Sequence, residues 1–213
     1  AGADAFNTAV GYQAGIAVTT GVHNTIIGGL AGDALTTGAR NVAVGYNALS
    51  QEDAHGRNVA LGYQALTTQN AGADAYNIGV GFNAGQNITT GVQNTLVGGL
   101  AGDALTTGTR NSLLGYNAGS ALVEGGSNVA VGYQALLSET ANGSTTAIGY
   151  NALAVQNAGA ESYNVAVGYN AGTSVTTGAD NVIVGGLAGD ALTTGSNNVA
   201  VGKEALSTED AHG

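Results

Sequence analysis

Runs of three apolar or β-branched residues, opened by Asn and closed by Gly, recur from one end of the chain to the other. Twelve units can be numbered from their opening residues: Asn7, Asn24, Asn41, Asn58, Asn77, Asn94, Asn111, Asn128, Thr145, Asn164, Asn181 and Asn198. The openings lie 17 residues apart except for two steps of 19, from Asn58 to Asn77 and from Thr145 to Asn164. In all twelve units position 4 is Val, Ile or Leu, position 5 is Gly and position 8 is Ala. Two units show the pattern: Asn41, Val44, Gly45 and Ala48, and again Asn128, Val131, Gly132 and Ala135. A β-favouring run closed by an obligatory Gly predicts a short strand and then a turn that needs positive φ. Asn at position 1 suits the turn before the strand, because it tolerates the left-handed conformation. Stacked unit on unit, these Asn side chains could also form a hydrogen-bonded ladder.

The second half of the unit has two forms. Where position 9 is Gly, as at Gly15, Gly32, Gly85, Gly102, Gly119, Gly172 and Gly189, position 12 is Val, Leu or Ile. Where position 9 is Leu, as at Leu49, Leu66, Leu136, Leu153 and Leu206, position 12 is polar. Each unit therefore supplies one large apolar anchor in one of two places, which fills a core at constant volume. A unit this small cannot bury itself, so it must stack on its neighbours. The chain is predicted to be all-β, a parallel β-solenoid of about twelve coils.

Position 3 is Ala, Ile, Leu or Gly throughout, and position 2 is Val or Ile in seven units and Thr or Ser in five. Alternation along a strand puts positions 2 and 4 on one face and 3 on the other. Both faces are apolar, and sheets dry on both sides are covered on both sides. Nothing else in the chain is free to cover the second face, so a partner chain is expected there, with Val44, Val131, Val167 and their equivalents lining the seam. Three copies around a closed axis would bury it.

A longer period lies above the first. Residues 69–76 (QNAGADAY) and 156–163 (QNAGAESY) end the two long units, and GGLAGDALTTG stands unchanged at 28–38, 98–108 and 185–195. Residues 1–213 read as a single repeat domain in blocks 1–70, 71–157 and 158–213, the second block carrying one extra unit. The two additional residues of each long unit are expected to bulge outward and leave the strands in register. With no Met, the chain is expected to be an excerpt of a longer protein.

Composition narrows the function. With a net charge of −10 and only four Lys and Arg, the chain has no footprint for phosphates, so nucleic-acid partners are not expected. No apolar run reaches the roughly 18–20 residues of a membrane span, so no membrane insertion is expected. The Gly-rich repeat lacks the Lys-Ser/Thr ending of a phosphate loop. EDAHG at 52–56 and 209–213 pairs Asp53 with His55 and Asp210 with His212, too few ligands for acid/base or metal chemistry, and reads as an exposed turn. Asp33, Asp103 and Asp190, all at position 10, are weak candidates for a hard-cation site shared by three chains. The Thr-Thr-Gly strings raise ice binding, but neighbouring Thr point oppositely and the Leu-type units interrupt the array. Tyr at position 6 fits a stacking ladder better than a sugar-binding stripe. No catalysis and no cofactor are expected.

The strings NTAVGYQAG (7–15), NVAVGYNAL (41–49), NVALGYQAL (58–66) and NVAVGYQAL (128–136) resemble the head repeats of trimeric autotransporter adhesins. They are similar also to repeat arrays of bacteriophage tail-fibre proteins. The resemblance covers all twelve units, although the unit is longer than the adhesin repeat. It implies a left-handed β-roll, a homotrimer and an extracellular place on a cell surface or virion. It also implies adhesion to a cell-surface, matrix or glycan ligand. The residues themselves leave two other readings open, a self-assembling single-chain filament and an ice- or glycan-binding module.

Overall fold

The computed structural model describes residues 4–141 and 143–208. Each unit forms one three-residue strand at positions 2–4, from β1 (Thr8–Val10) to β12 (Val199–Val201), and there is no helix among the described residues. The twelve strands form one parallel sheet in sequence order, with about eleven turns of β-solenoid. Register never slips: β4 (Val59–Leu61) and β5 (Ile78–Val80) flank the first long unit, yet Val59 still faces Ile78 and Leu61 faces Val80. The second long unit behaves alike between β9 (Thr146–Ile148) and β10 (Val165–Val167). Their extra residues lie in outward loops, where Gly72, Gly159 and the neighbours Ala73 and Ala160 are exposed.

Backbone hydrogen bonds between coils continue around the turns. The position 7 N–H donates to the previous coil, as Leu30 to Tyr12 at 2.8 Å, and the position 9 N–H to the next, as Gly15 to Ala31 at 3.0 Å. A narrow core runs along the axis. Position 3 points into it, so Ile26, Ala43, Leu96, Leu113, Ala130 and Ile183 are buried, and so is Ala48 or Ala135 at position 8. The two-form anchor is present: Leu49, Leu66, Leu136 and Leu153 fill the core from position 9, and Leu35, Ile88, Leu105, Leu122, Val175 and Leu192 fill it from position 12.

The alternation of Gly and Leu at position 9 has a steric cause. A Cβ at Gly85 would lie 2.9 Å from Leu66 Cδ2 and 3.0 Å from Ile88 Cδ1, so a coil anchored at position 12 has no room for a second side chain. The backbone is left-handed there in both forms, with φ 59° at Gly85 and 53° at Leu136. Position 5 is Gly for a stronger reason. Its φ lies between 124° and 144° in every coil, and at Gly132 an added Cβ would strike the carbonyl of Gly149 in the next coil.

The Asn at position 1 departs from the turn role expected of it. The left-handed residue is the one before, at position 17, as in Arg40 (φ 61°) and Ser127 (φ 61°). The Asn itself is buried and serves through its side chain. Asn111 donates its backbone N–H to Asn94 Oδ1 at 3.0 Å, and its own Oδ1 accepts the N–H of Asn128 at 3.0 Å. Its Nδ2 donates to the Gly125 carbonyl at 2.8 Å, which ties the coil's end to its beginning. Asn41 and Asn94 are held in the same way.

Candidate interaction face

With position 3 turned inward, positions 2 and 4 form the outer face of the sheet. Val44, Val131 and Val167 are half-buried there, while Ile27, Leu61, Val97, Leu114 and Ile148 are each more than a third exposed. Seven of the twelve position 2 residues are also Val or Ile, and none of the residues at positions 2 or 4 is charged. Twelve strands at about 4.8 Å spacing and three residues wide make a stripe of roughly 55 by 10 Å. That area, about 550 Å², already matches the largest apolar patch of an ordinary soluble monomer.

Aromatic rings extend the stripe at position 6. Tyr46, Tyr63 and Phe82 stack with centroids 5.5 and 5.4 Å apart. Tyr116, Tyr133, Tyr150 and Tyr169 follow at 5.8, 5.1 and 5.3 Å, with neighbouring planes within 16°. The rings are near-parallel because every coil repeats the backbone at position 6 without an offset. Gly29, Gly99 and Gly186 stand at this position in the coils that carry GGLAGDALTTG and interrupt the rows.

The polar candidates are distributed differently. Asp33, Asp103 and Asp190 are half-buried, each with one buried Oδ1 that has no hydrogen-bond partner. They sit four and five coils apart, about 19 and 24 Å at the strand spacing, so one chain does not bring them together. Burial pushes the Asp103 carboxyl above its usual range, against weaker backbone hydrogen bonds. The first Thr of most Thr-Thr-Gly strings is bonded into the wall, as Thr36 Oγ1 to the Asp53 carbonyl at 2.9 Å and Thr176 Oγ1 to Thr193 at 3.1 Å.

EDAHG at 52–56 is not simply an exposed turn. Glu52 is fully buried, with Oε1 accepting the His55 N–H at 3.0 Å and lying 3.6 Å from His55 Nδ1. Burial raises its carboxyl above the usual range, and the His55 N–H and imidazole oppose that more weakly. Glu52, Asp53 and His55 are the one group of three or more such side chains among the described residues whose ligating atoms converge, within 4.8 Å. The second EDAHG, with Asp210 and His212, lies outside the described residues.

Glu52 belongs to a set the sequence reading missed. Among the described residues, the polar side chains at position 12 of the Leu-type coils, Glu52, Gln69, Glu139 and Gln156, are all buried. Gln156 Nε2 donates to Glu139 Oε2 at 3.1 Å and to Ser162 Oγ at 3.0 Å, and its Oε1 accepts Asn164 Nδ2 at 2.7 Å. The available signal was the strict pairing of Leu at position 9 with Glu or Gln at 12. The polar ends turn to the coil corner, where Asn77 and Asn164 of the ladder donate to Gln69 and Gln156 and the His55 N–H donates to Glu52.

Comparison with known protein families, with curated proteins and with solved structures finds no match to this chain. The arrangement stands on its own geometry: a β-solenoid with one uncharged outer face edged by aromatic rings. No helix among the described residues is long and apolar enough to cross a membrane.

Proposed function

We propose that this chain is a segment of an extracellular homotrimeric fibre, an adhesin head or phage tail fibre. In this reading three left-handed rolls pack by their outer strand faces and hold or form a surface-binding element. The observation that carries it is the uncharged stripe of positions 2 and 4 along all twelve strands. A stripe of identical repeats is complementary to itself, and cyclic association about a common axis closes it against water. The net charge of −10 per chain then faces outward and opposes clumping of finished fibres. The resemblance of NVAVGYNAL and its kin to adhesin head repeats supports the same arrangement. The reading contains no catalytic step and no cofactor; its partners are two more copies and a cell-surface, matrix or glycan ligand.

The test is the mass in solution, by sedimentation or light scattering. Three times the chain mass is expected, with Val131→Asp shifting it to the single-chain mass or unfolding the protein. A stable monomer across the micromolar range would overturn the reading, and open-ended growth would favour the single-chain filament.

A further inference from the structure

The residues that precede each unit's opening Asn or Thr form an exposed row along one corner of the solenoid, and the stretches around the two long loops differ there. Around the first long loop the row has Arg40, Arg57 and Tyr76 on successive coils, and around the second it has Arg110, Ser127, Ser144 and Tyr163. Around the first long loop the row is closed. The Arg57 guanidinium pairs with Asp74 in the long loop and lies over the Tyr76 ring, 5.3 Å from its centroid. Asp74 Oδ1 also accepts the Gly56 N–H at 3.1 Å.

The second long loop repeats the receiving half of this arrangement without the cation. Glu161 and Tyr163 stand where Asp74 and Tyr76 do, in QNAGAESY against QNAGADAY. Glu161 lies against Gly143 as Asp74 lies against Gly56, a Cβ at Gly143 falling 3.2 and 3.3 Å from its two carboxylate oxygens. Ser144, however, replaces Arg57. The shortened side chains of Ser127 and Ser144 leave a groove of about 470 Å³, with Arg110 at one end, Tyr163 at the other and Glu124 and Glu161 on its walls. Arg110 is three coils from Tyr163, about 14 Å at the strand spacing, and its Nε donates to Ser127 Oγ at 3.4 Å. No ion pair joins it to either glutamate among the described residues.

We propose that this groove binds the guanidinium of an arginine side chain on a partner polypeptide, set between Glu161 and the Tyr163 ring as Arg57 is set between Asp74 and Tyr76. The intramolecular template chooses the ligand. A planar guanidinium pairs with a carboxylate through its fork of N–H groups while its face rests on an aromatic ring, which a compact ammonium does less well. The charges agree, since two carboxylates and one guanidinium leave the groove one positive charge short. The site does not rest on the trimeric reading, because every group in it comes from one chain.

Saturation-transfer NMR on the whole chain tests it, with N-acetylarginine amide as the probe and N-acetylcitrulline amide as its neutral isostere. Saturable transfer to the arginine probe is expected, with little to the citrulline probe. Glu161→Gln should weaken binding about tenfold, the size of one charge-assisted contact. Ser144→Arg should abolish it by rebuilding the closed arrangement of the first long loop. Solution mass is measured on each variant, so lost binding is separable from a change of assembly; if Ser144→Arg alters the mass, Glu161→Gln alone decides. Equal transfer to both probes, or binding undiminished in Glu161→Gln, would overturn the proposal.

Discussion

Two residues carry most of the fold's specificity. Gly at position 5 combines a φ open to glycine with contact against the next coil's backbone, so Gly132→Ala incurs both backbone strain and a clash. A loss of about 3 kcal/mol is expected, read as a lower urea midpoint. The Asn ladder works by a different principle, satisfying buried backbone N–H groups with side chains. Asn111→Ala removes an acceptor for Asn128 and the closure to Gly125, and should cost about 2–4 kcal/mol. Glu52 gives a prediction with a definite sign. Its folded carboxyl titrates above its unfolded range because burial disfavours the charge. The penalty is therefore fully present above the folded pKa and disappears as pH falls below the unfolded value. Glu52→Gln keeps an acceptor for His55 and should melt higher than wild type at neutral pH, the two curves converging toward pH 4.

At the level of the coil, much was readable because each position repeats twelve times in one chain. Strand, turn glycine, alternative anchors, outward loops and Asn ladder all follow from side-chain size and type at fixed spacing. The sequence reading turned Val44 and Val131 away from their own core, and the strand faces are turned that way, with Ala43 and Ala130 buried. Two features were less legible. Asn was assigned a turn role because it tolerates left-handed φ, whereas Arg40, Arg110 and Ser127 adopt that conformation and packing overrides their preference. Glu52 was read as part of an exposed turn because isolated charges avoid cores, and its hydrogen-bond partner comes from the same corner. The exclusive anchor is open to a double-mutant test. Leu136→Gly should cost about 3–5 kcal/mol through the cavity it leaves, and adding Glu139→Ile should restore more than half by moving the anchor to position 12. An additive or worse double variant, by calorimetry, would show that the two forms are not interchangeable.

Over the whole molecule, the strand pairing joins each coil only to the one before and the one after, so any stretch that begins and ends at the same position of the unit is a complete structural piece. The unchanged GGLAGDALTTG strings at 28–38, 98–108 and 185–195 start at such equivalent points. A crossover between the first two at the level of the gene deletes or duplicates 70 residues, four whole coils, and one between the last two exchanges 87 residues, five whole coils. Either product re-enters the 17-residue grid with every Gly and Asn over its counterpart. It therefore folds by the same contacts and differs only in reach, by about 19 or 24 Å at the strand spacing. Only the longer exchange carries the Ser127–Ser144 groove with it, so rods of different length from one lineage would also differ in how many such grooves they display.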